Sequence, residues 1–154
     1  MIFFKAILFI LITQVVFAKK VEITSDSMNA IDLKKEVHFV GNAKVKQLKD
    51  WIHADEIIVY LDKKNQAKMY VATGTVTFEF QNETKYYSGS SNKIEYYPLK
   101  SFYVLTGKAK VKDILNERTA KGDKITIDMI TGNIHVFGSK KKPVKFTFDT
   151  KENK

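Results

Sequence analysis

This sequence predicts an all-β fold built from repeated antiparallel hairpins, and three observations predict it. Apolar and polar residues alternate at period two in one segment after another, the spacing of a half-buried strand. Glycines recur within or at the end of these segments, at Gly41, Gly74, Gly107 and Gly138, spaced 33, 33 and 31 residues apart. Between them a second signature recurs, a small residue, then Asp or Asn, then any residue, then an aliphatic one. It reads Ser25-Asp26-Ser27-Met28, Ala54-Asp55-Glu56-Ile57, Ser91-Asn92-Lys93-Ile94 and Gly122-Asp123-Lys124-Ile125, with 15, 19, 15 and 15 residues from each Asp or Asn to the next glycine. A period near 33 is shared with helical repeats, so the local pattern decides, and it decides for strands.

The elements follow in chain order. Residues 1–18 carry Lys5, an apolar stretch from Ala6 to Ala18 broken only by Thr13 and Gln14, and a Val16-Phe17-Ala18 end. That is the pattern of a secretory signal peptide, with cleavage expected after Ala18. A retained anchor would want about 20 apolar residues. Residues 19–148 form one expected domain, and 149–154 a short polar tail. Val21-Glu22-Ile23-Thr24 reads as an edge strand with no proline to blunt it, an edge that is either covered or made to pair.

Val37, Phe39, Gly41, Ala43 and Val45 then share one face. So do Tyr70, Ala72, Gly74, Val76, Phe78 and Phe80; Tyr103, Leu105, Gly107, Ala109 and Val111; Ile125, Ile127 and Met129; and Val144, Phe146 and Phe148. Each mid-strand glycine has the parity of its apolar neighbours, so it is expected where a long strand bends around a corner. The Asp or Asn is expected where a connection enters the next strand, its side chain satisfying nearby backbone N–H groups. Asp32-Leu33-Lys34-Lys35, Asp62-Lys63-Lys64-Asn65 and Thr131-Gly132-Asn133 read as hairpin turns. No helix is expected after residue 18.

Composition limits function. The 154 residues contain no cysteine, which removes disulfides, thiolate metal sites and cysteine nucleophiles. The net charge is +9, and Arg118 is the one arginine, so the basic surface suits diffuse attraction to anions better than bidentate recognition. That scarcity, with the signal peptide, argues against nucleic acid as a partner. Export without cysteine points to a bacterial periplasm. No G-x-S-x-G, P-loop, dinucleotide-binding or H-E-x-x-H pattern is present. Asp26, Asp55 and Asp123 belong to separate repeats and read as turn residues, not as a paired acid and base. His38, His53 and His135 read as surface residues. No catalytic residue, metal or cofactor is expected. Lys140-Lys141-Lys142 beside Pro143 reads as a solvated turn, with an anion site as the sharper alternative. The inward-facing candidates are Val21, Ile23, Phe39, Val45, Ile57, Val59, Phe78, Ile94, Tyr96, Ile125, Ile127 and Val136. Alternation alone leaves open whether they line a groove or fill an ordinary core.

Phe102-Tyr103-Val104-Leu105-Thr106-Gly107-Lys108-Ala109, followed by Lys121-Gly122-Asp123-Lys124-Ile125-Thr126, resembles the OstA-like domain of the LptA family. So do Val21 to Asp26, Val40-Gly41-Asn42-Ala43 and Ile52-His53-Ala54-Asp55, and the resemblance runs in order from about Val21 to Val144. It departs at Ser91-Asn92, where the pattern has Gly-Asp. The resemblance implies a β-jellyroll of folded strands, the β-taco, with an apolar groove along its length. It implies a non-catalytic periplasmic carrier of lipopolysaccharide, lipid A acyl chains inside and sugars outside. It implies head-to-tail self-association through terminal strands, between LptC-like and LptD-like proteins of the two membranes. Two alternatives remain beside it: a structural or adaptor β-repeat protein that binds no lipid, and the related LptC with a retained anchor.

Overall fold

The computed structural model describes residues 20–150; the expected signal peptide and the last four residues of the expected tail lie outside them. The described chain is one ten-stranded antiparallel sheet. Its long strands are β3 (Glu36–Gln47), β4 (Asp50–Leu61), β5 (Ala67–Gln81), β6 (Tyr86–Tyr97), β7 (Phe102–Asp113) and β8 (Arg118–Asp128), each paired with the next. At one edge β1 (Glu22–Thr24) and β2 (Ser27–Ile31) both pair with β3. At the other, β9 (Ile134–Phe137) and β10 (Lys145–Phe148) both pair with β8. Each edge position is thus one strand in two pieces. Two connections are single 3₁₀ turns, at Asp32–Lys34, inside a segment expected as a hairpin turn, and at Pro98–Lys100. Each closes on a left-handed residue, Lys35 and Ser101.

A line of irregularities crosses the whole sheet, and the two sequence signatures lie on it. The register slips by one residue between Val40 and Ala43 of β3, between Thr73 and Val76 of β5, and between Thr106 and Ala109 of β7. The extra residue is always on the glycine strand. Gly41, Gly74 and Gly107 have φ near +80°, and the next residues, Asn42, Thr75 and Lys108, are also left-handed. These are glycine bulges, which turn a strand sharply.

The Asp or Asn does not sit where a connection enters a strand, as the sequence suggested; Asp55, Asn92 and Asp123 lie in the middle of β4, β6 and β8. The reason is packing. A methyl group on Gly74 would lie 2.8 Å from the Asp55 Cγ, one on Gly107 3.0 Å from the Asn92 Cβ, and one on Gly41 3.0 Å from the Asp26 Cβ. At these three glycines the two signatures are therefore two sides of one contact. Asp26 lies at the break between β1 and β2, its N–H donating to the Gly41 carbonyl at 2.8 Å. Gly138 departs from the series, lying just past β9 against Lys142, Pro143 and Val144.

The signature spacing also follows. On β4 the inward residues are Ile52 and Ala54, then Ile57 and Val59, so the alternation skips a residue at the corner. The small residue and the aliphatic one, three apart, both face inward. On β6 these are Ser91 and Ile94, both buried. The Ser91 hydroxyl donates to the Lys93 carbonyl at 3.0 Å, and the Ser-Asn variant keeps the corner seen at the other strands.

The corner line divides the sheet into two halves that fold face to face. One half holds β1, the second parts of β3, β5 and β7, the first parts of β4, β6 and β8, and β10. The other holds β2, the remaining parts and β9. Between them lies one core, with Phe78, Phe80, Val76, Ile57, Ile94, Leu105, Ile125 and Ile127 all but fully buried. Removing such side chains from water contributes roughly 1.5–3 kcal/mol each. Opposite the corner line, two rows of turns face each other across a mouth.

Candidate functional site

Among the described residues, the interior between the halves is the one extended apolar surface the fold builds. Its middle is closed. Phe78 stacks on Phe80 with ring centres 4.5 Å apart, Phe80 on Tyr103 at 3.7 Å, and Tyr103 on Tyr96 at 4.4 Å, with Tyr70 beyond at 5.7 Å. Phe80 comes from one half and Tyr103, Tyr96 and Tyr70 from the other, so this stack ties the halves together along the mouth. Burial pushes the Tyr70, Tyr96 and Tyr103 phenols up, most strongly Tyr103, and they stay neutral. Between the halves, no backbone hydrogen bond among the described residues spans the mouth; the turn-to-turn bonds, such as Met129 N–H to the Ser101 carbonyl at 3.0 Å, stay within one half.

The twelve sequence candidates divide by position. Ile57, Val59, Phe78, Ile94, Ile125 and Ile127 are buried in the packed middle. Phe39 and Tyr96 are partly buried against it. Val21, Ile23 and Val45 stand at the β1 end, and Val136 at the β9 end. The ends are where space opens. At the β1 end Val21, Val45, Trp51 and Ile52 meet Tyr70, Phe80 and Tyr103 around a narrow apolar cleft of about 30 Å³. At the other end a cleft of about 340 Å³ is walled by Tyr87, Val111, Ala120, Ile134, Val136, Val144 and Phe146. The second lies within the size range of ligand pockets and the first far below it. The mouth itself is a cleft of about 420 Å³ with Leu48, Asp50 and Glu83 on one lip and Ser101, Met129 and Ile130 on the other.

Charge enters this interior at two places, at Asp50 beside the narrow cleft and the mouth and at Asp113 with Arg118 in the larger cleft. Asp113 points into the larger cleft and is 7% exposed, held by the Arg118 Nη2 at 2.7 Å and the Asn116 Nδ2 at 2.9 Å. Burial alone would push its carboxyl up; the Arg118 and Asn116 hydrogen bonds outweigh that and hold it below the usual range. The remaining polar chemistry lies on the outer faces. His38 sits between Glu36, 2.9 Å from Nε2, and Glu56, 3.3 Å from Nδ1. Trp51 donates to Glu79 at 3.2 Å beneath the Lys44 ammonium. Among the described residues no three His, Cys, Asp or Glu side chains converge to hold a metal ion. Among the described residues the interior is lined mainly by apolar side chains.

The sequence candidates omitted Tyr70, Phe80 and Tyr103, although alternation had put all three on the inner face. Of the larger cleft they included Val136 alone. Val111 was legible by parity, but Val144 and Phe146 reach that cleft only because β10 pairs with β8 after a loop, with Phe146 opposite Ala120. No local spacing announces that pairing.

Comparison with known proteins bears on the whole arrangement. Residues 22–133 match a family model described as LptA/(LptD N-terminal domain) LPS transport protein. The lipopolysaccharide export system protein LptA of Escherichia coli K12 is 28% identical over 127 residues, covering 80% of this chain and 68% of that protein; LptA of Shigella flexneri matches to the same extent. Among solved structures, LptH of Pseudomonas aeruginosa superposes with a TM-score of 0.77 at 16% identity, covering 86% of this chain and 96% of that one. LptH is described as the LptA-homologous periplasmic component of a lipopolysaccharide transport device, and the superposition establishes the shared fold.

Proposed function

This chain belongs to the LptA/LptD N-terminal domain family of lipopolysaccharide transport proteins, and from that premise we propose that it is a periplasmic carrier holding lipid A acyl chains between the two halves of its sheet, and that copies join head to tail between LptC-like and LptD-like partners. The observation that carries the reading is the interior itself: predominantly apolar on both walls, hinged on backbone at one side and closed by side chains alone at the other. An aqueous compartment is a barrier for a lipid, because each CH₂ gains about 0.8 kcal/mol on leaving water, and a twelve-carbon chain roughly 10 kcal/mol. An apolar slot lowers that barrier without chemistry.

The termini support the bridging half of the reading. β1 and β2 each have a partner on one side only, and so do β9 and β10, so the sheet has two open edges. Eight strand positions about 4.8 Å apart give an advance of about 38 Å per copy if edges pair. Val21 and Met28 are exposed at one edge, and Val144, Phe146 and Phe148 at the other.

Photo-crosslinking tests carriage. With a photoreactive residue at Ile23, Phe78 or Val136 and lipopolysaccharide added, adducts are expected at all three inner positions and not at Lys44 on the outer face. Labelling of Lys44 equal to the inner positions, or none at any, would refute carriage and leave a structural β-repeat protein.

A further inference from the structure

The outer face near the corner carries a feature that lipid carriage does not use. Lys108 and Lys110 of β7, Lys121 of β8 and Lys142 of the β9–β10 loop line one pocket of about 340 Å³, with Ser90 of β6 and Asp123 on its wall. Lys110 is directly opposite Lys121, and Lys121 directly opposite Lys145, so three ammonium groups stand in one cross-strand row. Like charges placed opposite one another destabilise a sheet. Among the described residues none of these five lysines is in an ion pair, whereas Lys20, Lys35, Lys93 and Arg118 are. The row continues across the sheet through Ser90, Thr77, His53 and Lys44 without a carboxylate.

The pocket exists because the last strand is interrupted. Between β9 and β10 the chain leaves the sheet at Gly138 and returns at Lys145, and a turn, with the Ser139 N–H donating to the Lys142 carbonyl at 2.8 Å, brings Lys142 and Pro143 beside Gly122. Val144, the next residue, lines the apolar cleft inside. The lysine pocket and the apolar cleft are therefore adjacent, separated by the Pro143-Val144 step.

We infer that Lys108, Lys110, Lys121 and Lys142 form a phosphate-ester binding site. A compact multiply charged oxyanion relieves the lysine repulsion, and ammonium groups serve it as point charges where bidentate geometry is not needed. Its place beside the apolar cleft makes the phosphorylated headgroup of a lipid held there one source of the phosphate, which rests on the carrier reading above; a free phosphate compound is the other.

Amide NMR of the folded chain separates the sources, with inorganic pyrophosphate as one probe and lipid A, bisphosphorylated or enzymatically dephosphorylated, as the others. Pyrophosphate is expected to shift residues 108–110, 121–123 and 142 saturably and to leave Lys44 and Lys46 unmoved. Bisphosphorylated lipid is expected to bind about five- to ten-fold tighter than the dephosphorylated form. The variant Lys110→Gln/Lys121→Gln/Lys142→Gln should lose that preference, keep its affinity for dephosphorylated lipid, and melt no lower than the parent, since it removes repulsion. Pocket shifts with pyrophosphate but equal binding of the two lipids would assign the site to a free phosphate and leave carriage intact. Binding of neither lipid would refute carriage, and the pyrophosphate shifts would still decide the site. Absent or uniform shifts across all outer-face lysines, together with no lipid preference, would overturn it.

Discussion

Replacing Gly74 with alanine tests the corner as the device that folds the sheet. Gly74 has φ +78°, where a residue with a Cβ costs about 1–2 kcal/mol. The added methyl would also overlap the Asp55 carboxylate, lying 2.9 Å from its Cβ, and Asp55 is fixed in mid-strand. Overpacking of this kind costs about 1–3 kcal/mol. Together the expected loss is about 2–5 kcal/mol, a large part of the stability of an ordinary domain, or on the order of 10 °C in Tm for a chain of this size. Urea denaturation of Gly74→Ala, Asp55→Gly and the double variant measures it. Because half the penalty is a contact between the two, the double variant should be more stable than the single losses sum to, by about 1–3 kcal/mol. Strict additivity would refute the paired-signature account. Gly107→Ala should lose less than Gly74→Ala, since its methyl stands farther from Asn92, 3.0 Å from Cβ and 3.1 Å from Cγ.

His38 is expected to make stability pH-dependent. Its hydrogen bond to Glu36 raises the imidazole above its ordinary value, burial pulls the other way, and Glu56 adds to the rise. A group raised by folding stabilises below its unfolded value, near 6.5, and loses that contribution as pH climbs through the folded value. The gap in urea midpoint between parent and His38→Gln should be wider at pH 5.5 than at pH 8.5, and the reverse order would refute this. Arg118→Leu strips Asp113 of its cation and should cost about 1–2 kcal/mol at pH 7. Asp113 is held low by folding, so its contribution is present above its unfolded value and lost as pH falls through the folded one; the variant should acid-unfold at higher pH than the parent. Phe78→Ala, at a side chain 1% exposed, should lose about 3–5 kcal/mol, measured by thermal melting. Lys44→Ala, on the outer face, should stay within about 0.5 kcal/mol of the parent.

Alternation made β3, β5 and β7 legible because a glycine bulge absorbs its own extra residue, so Phe39, Gly41 and Ala43 keep one parity through the corner. On β4, β6 and β8 the alternation breaks, and the break itself was the second signature: Ala54 and Ile57 are three apart because the strand turns between them. Its meaning was misjudged because Asp and Asn favour turns locally, while their partner here, a glycine 15 or 19 residues away, is set by tertiary pairing. The same limit left Val136 as the only candidate in the larger cleft and Lys142 as the only lysine of the lysine pocket weighed as an anion site. Cleft and pocket both depend on where residues 138–145 re-enter the sheet, and that loop has neither period nor turn motif strong enough to set a register.

The closed middle of the interior opposes entry of a lipid, and magnitudes set how strongly. Opening the mouth parts Phe80 from Tyr103, the stack that crosses between the halves. An aromatic pair is worth about 0.5–1.5 kcal/mol beyond its burial, and an entering chain would replace the lost apolar contact rather than leave it to water. Against this, one acyl chain leaving water contributes roughly 10 kcal/mol. The hinge opposite is held by sheet hydrogen bonds on both sides of the corner and by the Gly–Asp contacts, so opening bends the backbone at the bulges without breaking strand pairs. Phe80→Leu and Tyr103→Leu, which weaken the stack without emptying the core, should therefore speed lipid entry in a stopped-flow assay with a fluorescent lipid while lowering Tm. Slower or unchanged entry in both would place the opening elsewhere than the mouth.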